Sequence, residues 1–289
     1  MVFLSIHSKI KNIRYKYSTK EIIRILDRKF GFAWLECLLT RKWYNIPLTI
    51  WLNFRSLPLK QAIKLPISVY GCPRFYSLSG DMYIEGKVKH GMIKFNHCQI
   101  GAPNNLSLNT EIVNQGMIIF HGPGLIGTGN KIVVEGTLSI GKHFKITDMV
   151  NISCYNSIEI GDQTWIVHRS QVMDTNYHYL VDLQNQTIKN HTESISLGSG
   201  CWVGNSCSIM GGAKLPNHTI VCSHSLVNRE FIEPCSVIAG IPAKTIKKGI
   251  VRLDNTQINK SVYEYYRNNS NKIFEYSDID ILEFTKIKI

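Results

Sequence analysis

The stretch LGSGCWVGNSCSIMGGAKLPNHTIVCSHSLV, residues 197–227, places a branched aliphatic side chain at every sixth residue. The aliphatic column consists of Leu197, Val203, Ile209, Leu215, Val221 and Val227. A second column, four residues after each of the first five, holds only small side chains: Cys201, Cys207, Ala213, Thr219 and Ser225. Neither a helix, which repeats about every 3.6 residues, nor a simple alternating strand requires a period of six.

Because six is an even number, one column of aliphatic residues points to one face of an extended chain, while the small column marks tight turns. Three six-residue edges close a triangular coil, and coils stacked about 4.8 Å apart satisfy one another's backbone amides. Repeats of this length are typical of a parallel β-helix. The alternative, a sandwich of strands, has irregular turn signals every ~8–12 residues, which the regular hexads disfavour. We therefore predict an all-β solenoid, a parallel β-helix of hexapeptide repeats.

A weaker period of six begins near Ile84 and predicts that the solenoid covers residues 84–250. The residues that carry it are Ile100, Leu106, Ile112, Ile118, Val134, Ile140, Ile146, Ile152 and Ile158, followed by Ile160, Ile166 and Val172. The segment 122–124 interrupts the period, and a two-residue slip precedes Ile160. We expect the slip at a corner of the coil, where extra residues bulge outward without moving the inward column.

The segments on either side of the solenoid have a different character. Ser18 and Glu21 have the spacing of a capping box, and apolar residues recur at helical intervals behind them, which predicts a helix over residues 19–40. We predict that residues 1–83 form a basic, partly helical segment that either caps the open end of the solenoid or lies near a membrane. Residues 251–289 are predicted to form a C-terminal tail.

The charge of the chain is concentrated at its N-terminal end. The whole chain has a formal net charge of +12, and residues 1–70 alone hold thirteen Lys and Arg against three acidic residues, a net charge of +10. Localised charge of this size points either to an anionic partner, such as an anionic membrane that associates peripherally with residues 1–70, or to an ordinary solvated surface of a structural cap. We expect no nucleic-acid partner, because the basic segment lacks the usual binding modules and the interleaved aromatic platforms.

Cysteine usage and hydropathy bear on the compartment. The eight cysteines include no CxxC pair, and Cys201 and Cys207 are explained as small repeat residues, so we predict reduced thiols. Charges break every apolar run near the N-terminus, and no stretch reaches the roughly 18 apolar residues of a spanning helix. We expect a cytoplasmic protein, peripheral to the inner face of the membrane.

The repeat stops for about twenty residues between Val172 and Leu197. The intervening segment, NYHYLVDLQNQTIKNHTESIS at 176–196, is rich in Asn, His and Thr. Long loops inside a regular array are uncommon and usually functional. The chemistry of the chain is therefore predicted to lie on this loop.

Four motifs in order resemble the left-handed β-helix (hexapeptide-repeat) acyltransferases. They are IGDQTWI at 160–166, TNYH at 175–178, LGSGCWVGNSCSIMGGA at 197–213 and VIAGIPAKTIK at 237–247. Within that family the chain is most similar to sugar and polysaccharide O-acetyltransferases, and the resemblance covers roughly residues 84–250. It implies a left-handed β-helix, acetyl-CoA as co-substrate, and a homotrimer whose active sites lie in the clefts between adjacent β-helices.

The resemblance also implies roles for particular residues. It places the catalytic base at His178, the histidine at the start of the looped-out segment. It implies a set of coenzyme-binding residues: Asn205, Ser223 and Asn228 along the pantetheine arm, and Lys244 and Lys247 at the phosphates. His224 stands where the family usually has a small residue.

Acetyl-transfer chemistry independently favours His178. Moving an acetyl group from a thioester to a sugar hydroxyl requires a base with a pKa near neutral to take the hydroxyl proton. Asp174 is expected either to orient the imidazole or position the acceptor, or to be a surface residue at the loop entry. A zinc site formed by His168, His178, His191 and His224 is disfavoured, because no two of them have the close spacing of ligands on one coil face. We predict no metal.

Together these observations predict an acetyl-CoA-dependent O-acetyltransferase that acts on a sugar hydroxyl of a surface polysaccharide or its precursor. Two alternatives stay open, an N-acyltransferase of an amino sugar nucleotide and a catalytically inactive trimeric scaffold. Trp165 and Trp202 are expected on the outside of the coils, where they would be buried against a partner chain in the homotrimer.

Overall fold

A computed structural model describes residues 43–97, 108–254, 256–269 and 273–274. The predicted helix over residues 19–40 and the predicted inward residues Ile100 and Leu106 lie outside the described residues.

The described residues form three stacked parallel sheets, and each turn of the chain adds one strand to every sheet. The first sheet contains β1 (Ile67–Val69), β4 (Ile93–Phe95), β7 (Gly124–Ile126), β10 (Phe144–Ile146), β13 (Trp165–Ile166), β18 (Trp202–Val203), β21 (Ile220–Val221) and β23 (Ser236–Gly240), and ends with the antiparallel β24 (Ala243–Lys248). The second contains β2 (Arg74–Leu78), β5 (Glu111–Asn114), β8 (Lys131–Val134), β11 (Asn151–Cys154), β14 (Gln171–Met173), β19 (Ser208–Met210) and β22 (Leu226–Val227). The third contains β3 (Asp81–Ile84), β6 (Met117–Phe120), β9 (Thr137–Ile140), β12 (Ser157–Ile160), β17 (Ile195–Leu197) and β20 (Lys214–Leu215). This arrangement confirms the predicted parallel β-helix.

The predicted inward columns form the core. Ile152, Ile166, Val203 and Ile209 are each 0 % exposed. The small-residue column is buried as well, and Cys201 lies at a corner where its amide bonds the Thr164 hydroxyl of the previous coil. The alternation of inward aliphatic and outward polar residues is therefore what closes the chain into a solenoid.

Apart from the coil that carries the long loop, the coils between β5 and β22 have two lengths. Ile132 pairs with Ile152 and Ile146 with Ile166, so these coils contain 20 residues, whereas Val203 pairs with Val221, a coil of 18. The two extra residues of the long coils lie at the corner between the second and third sheets, between β8 and β9 and between β11 and β12. The two-residue slip before Ile160 is this corner.

The structure corrects two details of the predicted repeat. Three strands precede residue 84, so the solenoid begins at Ile67 and the predicted boundary at 84 is too late. The period is hidden there because successive strands of the first sheet, β1 and β4, are 26 residues apart. The segment 122–124 is no interruption, because Gly124 lies in β7 and leaves room for Phe144 of the next coil.

Two helices, α1 (Ile46–Ser56) and α2 (Leu59–Ala62), cover the N-terminal end of the solenoid. Asn53 of α1 donates to the carbonyl of Ile67 (2.7 Å) and accepts from the Ile67 amide (3.0 Å), and Thr49 accepts from the Val69 amide (3.0 Å). These buried side chains give the edge strand β1 the hydrogen bonds that a further coil would supply. Within the predicted, partly helical segment 1–83 the bounds of α1 were not predicted, because its contacts to β1 span 14 to 20 residues of chain.

After β24 the chain crosses back over the first sheet. Arg252 donates to the carbonyl of Gln163 (2.9 Å), and its guanidinium lies 3.9 Å from the centroid of the Trp165 ring, over which Lys145 also lies at 3.7 Å. Burial lowers the pKa of both Arg252 and Lys145. Trp165 is thus covered by its own chain, which corrects the expectation that a partner covers it. The helix α3 (Thr256–Asn268) follows.

Arg252→Ala is expected to lower the free energy of unfolding by about 2 kcal/mol, because it removes a cation from the indole and a hydrogen bond from a coil carbonyl. Urea unfolding followed by circular dichroism measures the change. Arg267→Ala, a matched change at an exposed position in α3, should stay within about 0.5 kcal/mol of the unmodified protein. Equal effects of the two substitutions would contradict the assigned contact.

Candidate functional site

A pocket of about 380 Å³ lies where the long loop leaves and rejoins the solenoid. Its walls come from the loop entry after β14, the loop exit before β17, and the ends of β19 and β22. The lining residues are Asp174, Thr175, Asn176, Asn190, His191, Thr192, Glu193, Met210, Gly211, Leu226 and Asn228. Most of these side chains carry oxygen or nitrogen, so the pocket suits a ligand with many hydroxyl groups. A second cavity, of about 10 Å³ among core side chains, is a packing gap.

Asp174 lines the pocket but is only 1 % exposed. Tyr155 and Asn156 donate their backbone N–H groups to its two carboxylate oxygens, at 2.7 and 2.8 Å. At the same corner of the previous coil, Glu135 and Gly136 donate to the carbonyl of Cys154. The chain leaves the coil after β14, so the Asp174 carboxylate takes the place of the next coil's carbonyl. Asp174 is therefore a buried residue, not a surface residue at the loop entry, and both of its oxygens have backbone partners.

His178 is exposed and lies between two anchored tyrosines. Tyr177 donates its hydroxyl to Ser153 (2.7 Å), and its ring meets that of Tyr155 edge-on at 5.2 Å. The Tyr177 backbone is left-handed, with a φ of 61°, which is uncommon for an aromatic residue. Within the described residues, the His178 imidazole forms no hydrogen bond or ion pair. The contacts of Tyr177 thus fix the backbone on the N-terminal side of His178 and leave its imidazole free.

The anchor on the other side is His191, which lies in the returning half of the loop. Its ring meets that of Tyr179 edge-on at 4.5 Å, and its Nδ1 is hydrogen-bonded to the Thr175 hydroxyl at 3.0 Å. The same hydroxyl accepts the backbone N–H of Tyr177 at 2.9 Å. The structure places His191 in the pocket wall, whereas His178 is not among the lining residues.

The predicted coenzyme residues are all exposed but fall into separate places. Asn205 and Ser223 stack in adjacent coils at the corner between the first and second sheets, where the backbone N–H of Asn205 donates to the Ser223 hydroxyl at 3.2 Å. His224 follows with a φ of 61°, a left-handed conformation in which glycine is least strained. Asn228 lies apart from this pair, in the wall of the pocket.

Lys244 and Lys247 lie on β24, the second strand of the antiparallel hairpin that ends the solenoid. Lys244 pairs with Ala239 and Lys247 with Val237, and both side chains are exposed. Neither lysine forms an ion pair with another residue in the described ranges. Both ammonium groups are therefore open to an anionic ligand.

Thiol and metal chemistry have little support in this part of the chain. Burial raises the pKa of Cys154 and of Cys201 to about 12, so neither is an accessible thiolate near neutral pH. The cysteines among residues 43–97 and 108–254 are free thiols. Across the described residues, no group of His, Cys, Asp and Glu is arranged to hold a metal ion.

Sequence reasoning found the loop and missed most of the pocket. Thr175, Asn176, Asn190 and Glu193 line it without having been singled out, and His191 was considered only as a zinc ligand. The only signal was the Asn, His and Thr content of the loop, because the pocket depends on how the two ends of the loop meet in space.

Comparison with known proteins finds sequence similarity to a protein named for O-acetyl transfer and to an uncharacterized bacterial protein. WbbJ of Escherichia coli (strain K12), a protein named for O-acetyl transfer in lipopolysaccharide biosynthesis, is 25% identical over 183 residues, which cover 60% of this chain and 90% of WbbJ. An uncharacterized 24.8 kDa protein in the cps region of Klebsiella pneumoniae is 35% identical over 104 residues, 36% of this chain and 44% of that protein. No protein-family model matches the chain.

A solved structure shares the fold. The polySia specific acetyltransferase NeuO superposes with a TM-score of 0.50 at 18% identity, over 71% of this chain and 94% of NeuO. At that identity the likeness is one of architecture.

Proposed function

We propose that this chain, which belongs to the hexapeptide-repeat acyltransferase family, transfers the acetyl group of acetyl-CoA to a hydroxyl of a surface polysaccharide or its precursor. The observation that carries the proposal is the loop between β14 and β17, which presents a free imidazole and whose two ends line a pocket rich in oxygen and nitrogen atoms. The match to WbbJ, which covers 90% of that protein, supports a glycan acceptor.

In the proposed reaction, His178 takes the proton of the acceptor hydroxyl as its oxygen attacks the thioester carbonyl. The carbonyl becomes a tetrahedral oxyanion, which backbone N–H groups at a coil corner can stabilise. When the intermediate collapses, the carbon–sulfur bond breaks and the imidazolium returns the proton to the leaving thiolate. The products are the O-acetyl ester and free coenzyme A, and the histidine ends neutral as it began.

The loop contacts support a positioning role for the residues around His178. Tyr177 and Tyr179 are each held by a ring contact, so the backbone of His178 is fixed on both sides. Asp174 fixes the start of the loop by accepting hydrogen bonds from two backbone amides. It contributes to catalysis indirectly, because it holds the segment that carries His178. Fixing a base in this way lowers the entropy cost of reaching the transition state.

We propose Asn205, Ser223 and Asn228 as contacts of the coenzyme arm, and Lys244 and Lys247 as contacts of its phosphates. Lys244→Ala/Lys247→Ala is expected to raise the Michaelis constant for acetyl-CoA roughly tenfold and to leave turnover at saturation nearly unchanged, because point charges bind phosphate without joining proton transfer. Steady-state kinetics with varied acetyl-CoA measures both values. Lys131→Ala, an exposed lysine on β8, is the control. An unchanged Michaelis constant in the double variant would show that neither lysine contacts the coenzyme and that both are ordinary solvated surface residues.

We further propose that the protein is a homotrimer. The loop hairpin, formed by β15 (Leu180–Asp182) and β16 (Thr187–Lys189), has apolar side chains that are exposed in the part of the chain that the structure describes. Leu180, Leu183 and Ile188 are 68, 86 and 65 % exposed. Such an arm is expected to pack on a neighbouring β-helix, next to that chain's coenzyme residues.

Light scattering coupled to size exclusion should report about three chains per particle, and Leu183→Ser/Ile188→Ser should shift the particle toward monomer. If the unmodified protein is a monomer at micromolar concentration, the proposed homotrimer and its active site between chains are wrong.

The function itself is tested by release of free coenzyme A from acetyl-CoA, followed with a thiol reagent. Release is expected to require a polysaccharide acceptor and to stay near the background rate with amino sugar nucleotides. Release driven by an amino sugar nucleotide would support N-acylation, and the absence of release with every acceptor would support the inactive scaffold.

A further inference from the structure

The helices that close the N-terminal end of the solenoid have an apolar outer side. Ile46, Ile50 and Phe54 recur every four residues along α1, Trp51 lies beside them, and Leu59 and Ile63 continue the row through α2 and the turn after it. These six side chains are between 44 and 68 % exposed. We call them the cap surface. Contiguous exposed apolar side chains of this size usually mark a binding surface.

The cap surface is not needed to close the solenoid. The opposite side of α1 does that, because Thr49, Leu52 and Asn53 are at most 1 % exposed and two of them hydrogen-bond β1. The Trp51 ring also packs against the Phe75 ring, with centroids 5.4 Å apart, which fixes the position of Trp51 in this surface. Capping and the outer apolar row are therefore separate properties of one helix.

The cap surface is also basic. Arg55, Lys60 and Lys64 are exposed among its apolar residues, and none of them forms an ion pair with another described residue. The sequence contains no Asp or Glu between residues 37 and 80. An anionic occupant would therefore meet no negative charge that repels it on this segment.

We propose that the cap surface docks on an anionic lipid bilayer. A bilayer supplies negative charge for the three cations and an apolar layer for the six side chains, and an amphipathic surface of this composition binds lipid through both. A nucleic acid or free phosphate supplies only the charge.

Charge argues against the two other occupants. A second copy packed on this surface would bring its own Arg55, Lys60 and Lys64 against the same three cations. Residues 1–42 of this chain hold ten Lys and Arg against three acidic residues, so they would add positive charge as well. Like charges in contact are unfavourable, whereas anionic lipid neutralises all of them.

Docking would set the height of the pocket above the membrane. In the second sheet, β14 lies four strands beyond β2, which at about 4.8 Å per strand is roughly 20 Å along the solenoid. A glycan carried on a membrane lipid would be accessible at that height. This consequence rests on the proposed acetyl transfer, whereas the docking itself does not.

Flotation of the purified full-length protein with vesicles tests the proposal. The protein is expected to float with phosphatidylcholine–phosphatidylglycerol vesicles at low salt, and not with phosphatidylcholine alone or at high salt. Ile50→Ser/Phe54→Ser/Leu59→Ser should lower the bound fraction at least tenfold, and Lys60→Ala/Lys64→Ala several-fold. Two matched variants should bind as the unmodified protein does: Ile232→Ser/Tyr263→Ser and Lys94→Ala/Lys131→Ala, all exposed positions elsewhere. Circular dichroism of each variant confirms its fold.

Four results would overturn the proposal. The protein could fail to float with anionic vesicles or could bind neutral vesicles equally well, and either result removes the anionic bilayer. The cap variants could bind like the unmodified protein, which would assign binding to residues outside the cap surface. They could instead change the particle mass, which would make the surface a contact between copies. Acetyl transfer to a water-soluble glycan in the absence of lipid is measured separately, so each proposal can fail on its own.

Discussion

His178→Ala is expected to lower turnover by roughly a hundredfold or more, the usual scale for losing a general base. The affinity for acetyl-CoA should stay nearly unchanged, because His178 lies on the loop whereas the proposed phosphate contacts lie on β24. The free energy of unfolding should also stay nearly unchanged, since the side chain is exposed and makes no hydrogen bond within the described part of the chain. Steady-state kinetics and urea unfolding of the same preparation measure all three quantities.

Two other histidine variants make the result specific. His143→Ala, at an exposed corner of another coil, should leave turnover unchanged. His191→Ala removes the ring under Tyr179 and the partner of Thr175, so it should lower turnover less than His178→Ala does and should lower the free energy of unfolding as well. If His191→Ala abolishes turnover while His178→Ala does not, the base is the imidazole in the pocket wall and the assignment of His178 is wrong.

Asp174→Ala is expected to lower the free energy of unfolding by about 2 kcal/mol, because it removes a buried carboxylate and leaves two part-buried backbone N–H groups without their acceptor. Turnover should fall with it, since the start of the loop loses its fixed position. Thermal and urea unfolding measure the loss of stability. Steady-state kinetics at a temperature where the variant is folded measures the fall in turnover.

Asp182→Ala is the matched control for this variant. Asp182 also accepts two backbone N–H groups, those of Gln184 and Asn185 at 3.0 Å, and these hydrogen bonds keep its pKa below the ordinary value. Its hydrogen bonds are open to water, which can replace the lost acceptor, so its substitution should change stability much less. An Asp174→Ala variant as stable as the Asp182→Ala variant would show that the Asp174 carboxylate does not stabilise the corner.

The period of six was sufficient to predict the architecture, because inward residues such as Ile152 and Val203 are selected by a local, even-numbered alternation. The 20-residue coils were harder to predict, since their extra residues at the corner leave both neighbouring inward positions, Ile158 and Ile160, in the core. The position of α1 within the predicted, partly helical segment could not be predicted, because Asn53 and Thr49 find their hydrogen-bond partners only at the edge of β1. The local pattern of inward residues thus predicts the repeating coils, whereas the structure that covers the end of the solenoid depends on contacts between residues distant in sequence.

The site follows the same division. The loop was predictable as a long break in a regular array, and the family resemblance supplied His178 as its candidate base, which stays a prediction. The buried role of Asp174 was not, since it depends on two amides of the previous coil that lose their usual carbonyl partner. The pocket wall around His191 and Glu193 was missed for a similar reason, because it forms only where the loop returns to the solenoid.

The chemical nature of the acetylated product tests the central claim most directly. After incubation of the protein with acetyl-CoA and a polysaccharide acceptor, the recovered glycan is treated with hydroxylamine, which cleaves esters and leaves amides intact. The account predicts an acetyl group that hydroxylamine removes, and that is absent when the His178→Ala variant replaces the unmodified protein. An acetyl group that resists hydroxylamine, or equal acetylation by the two proteins, would contradict it.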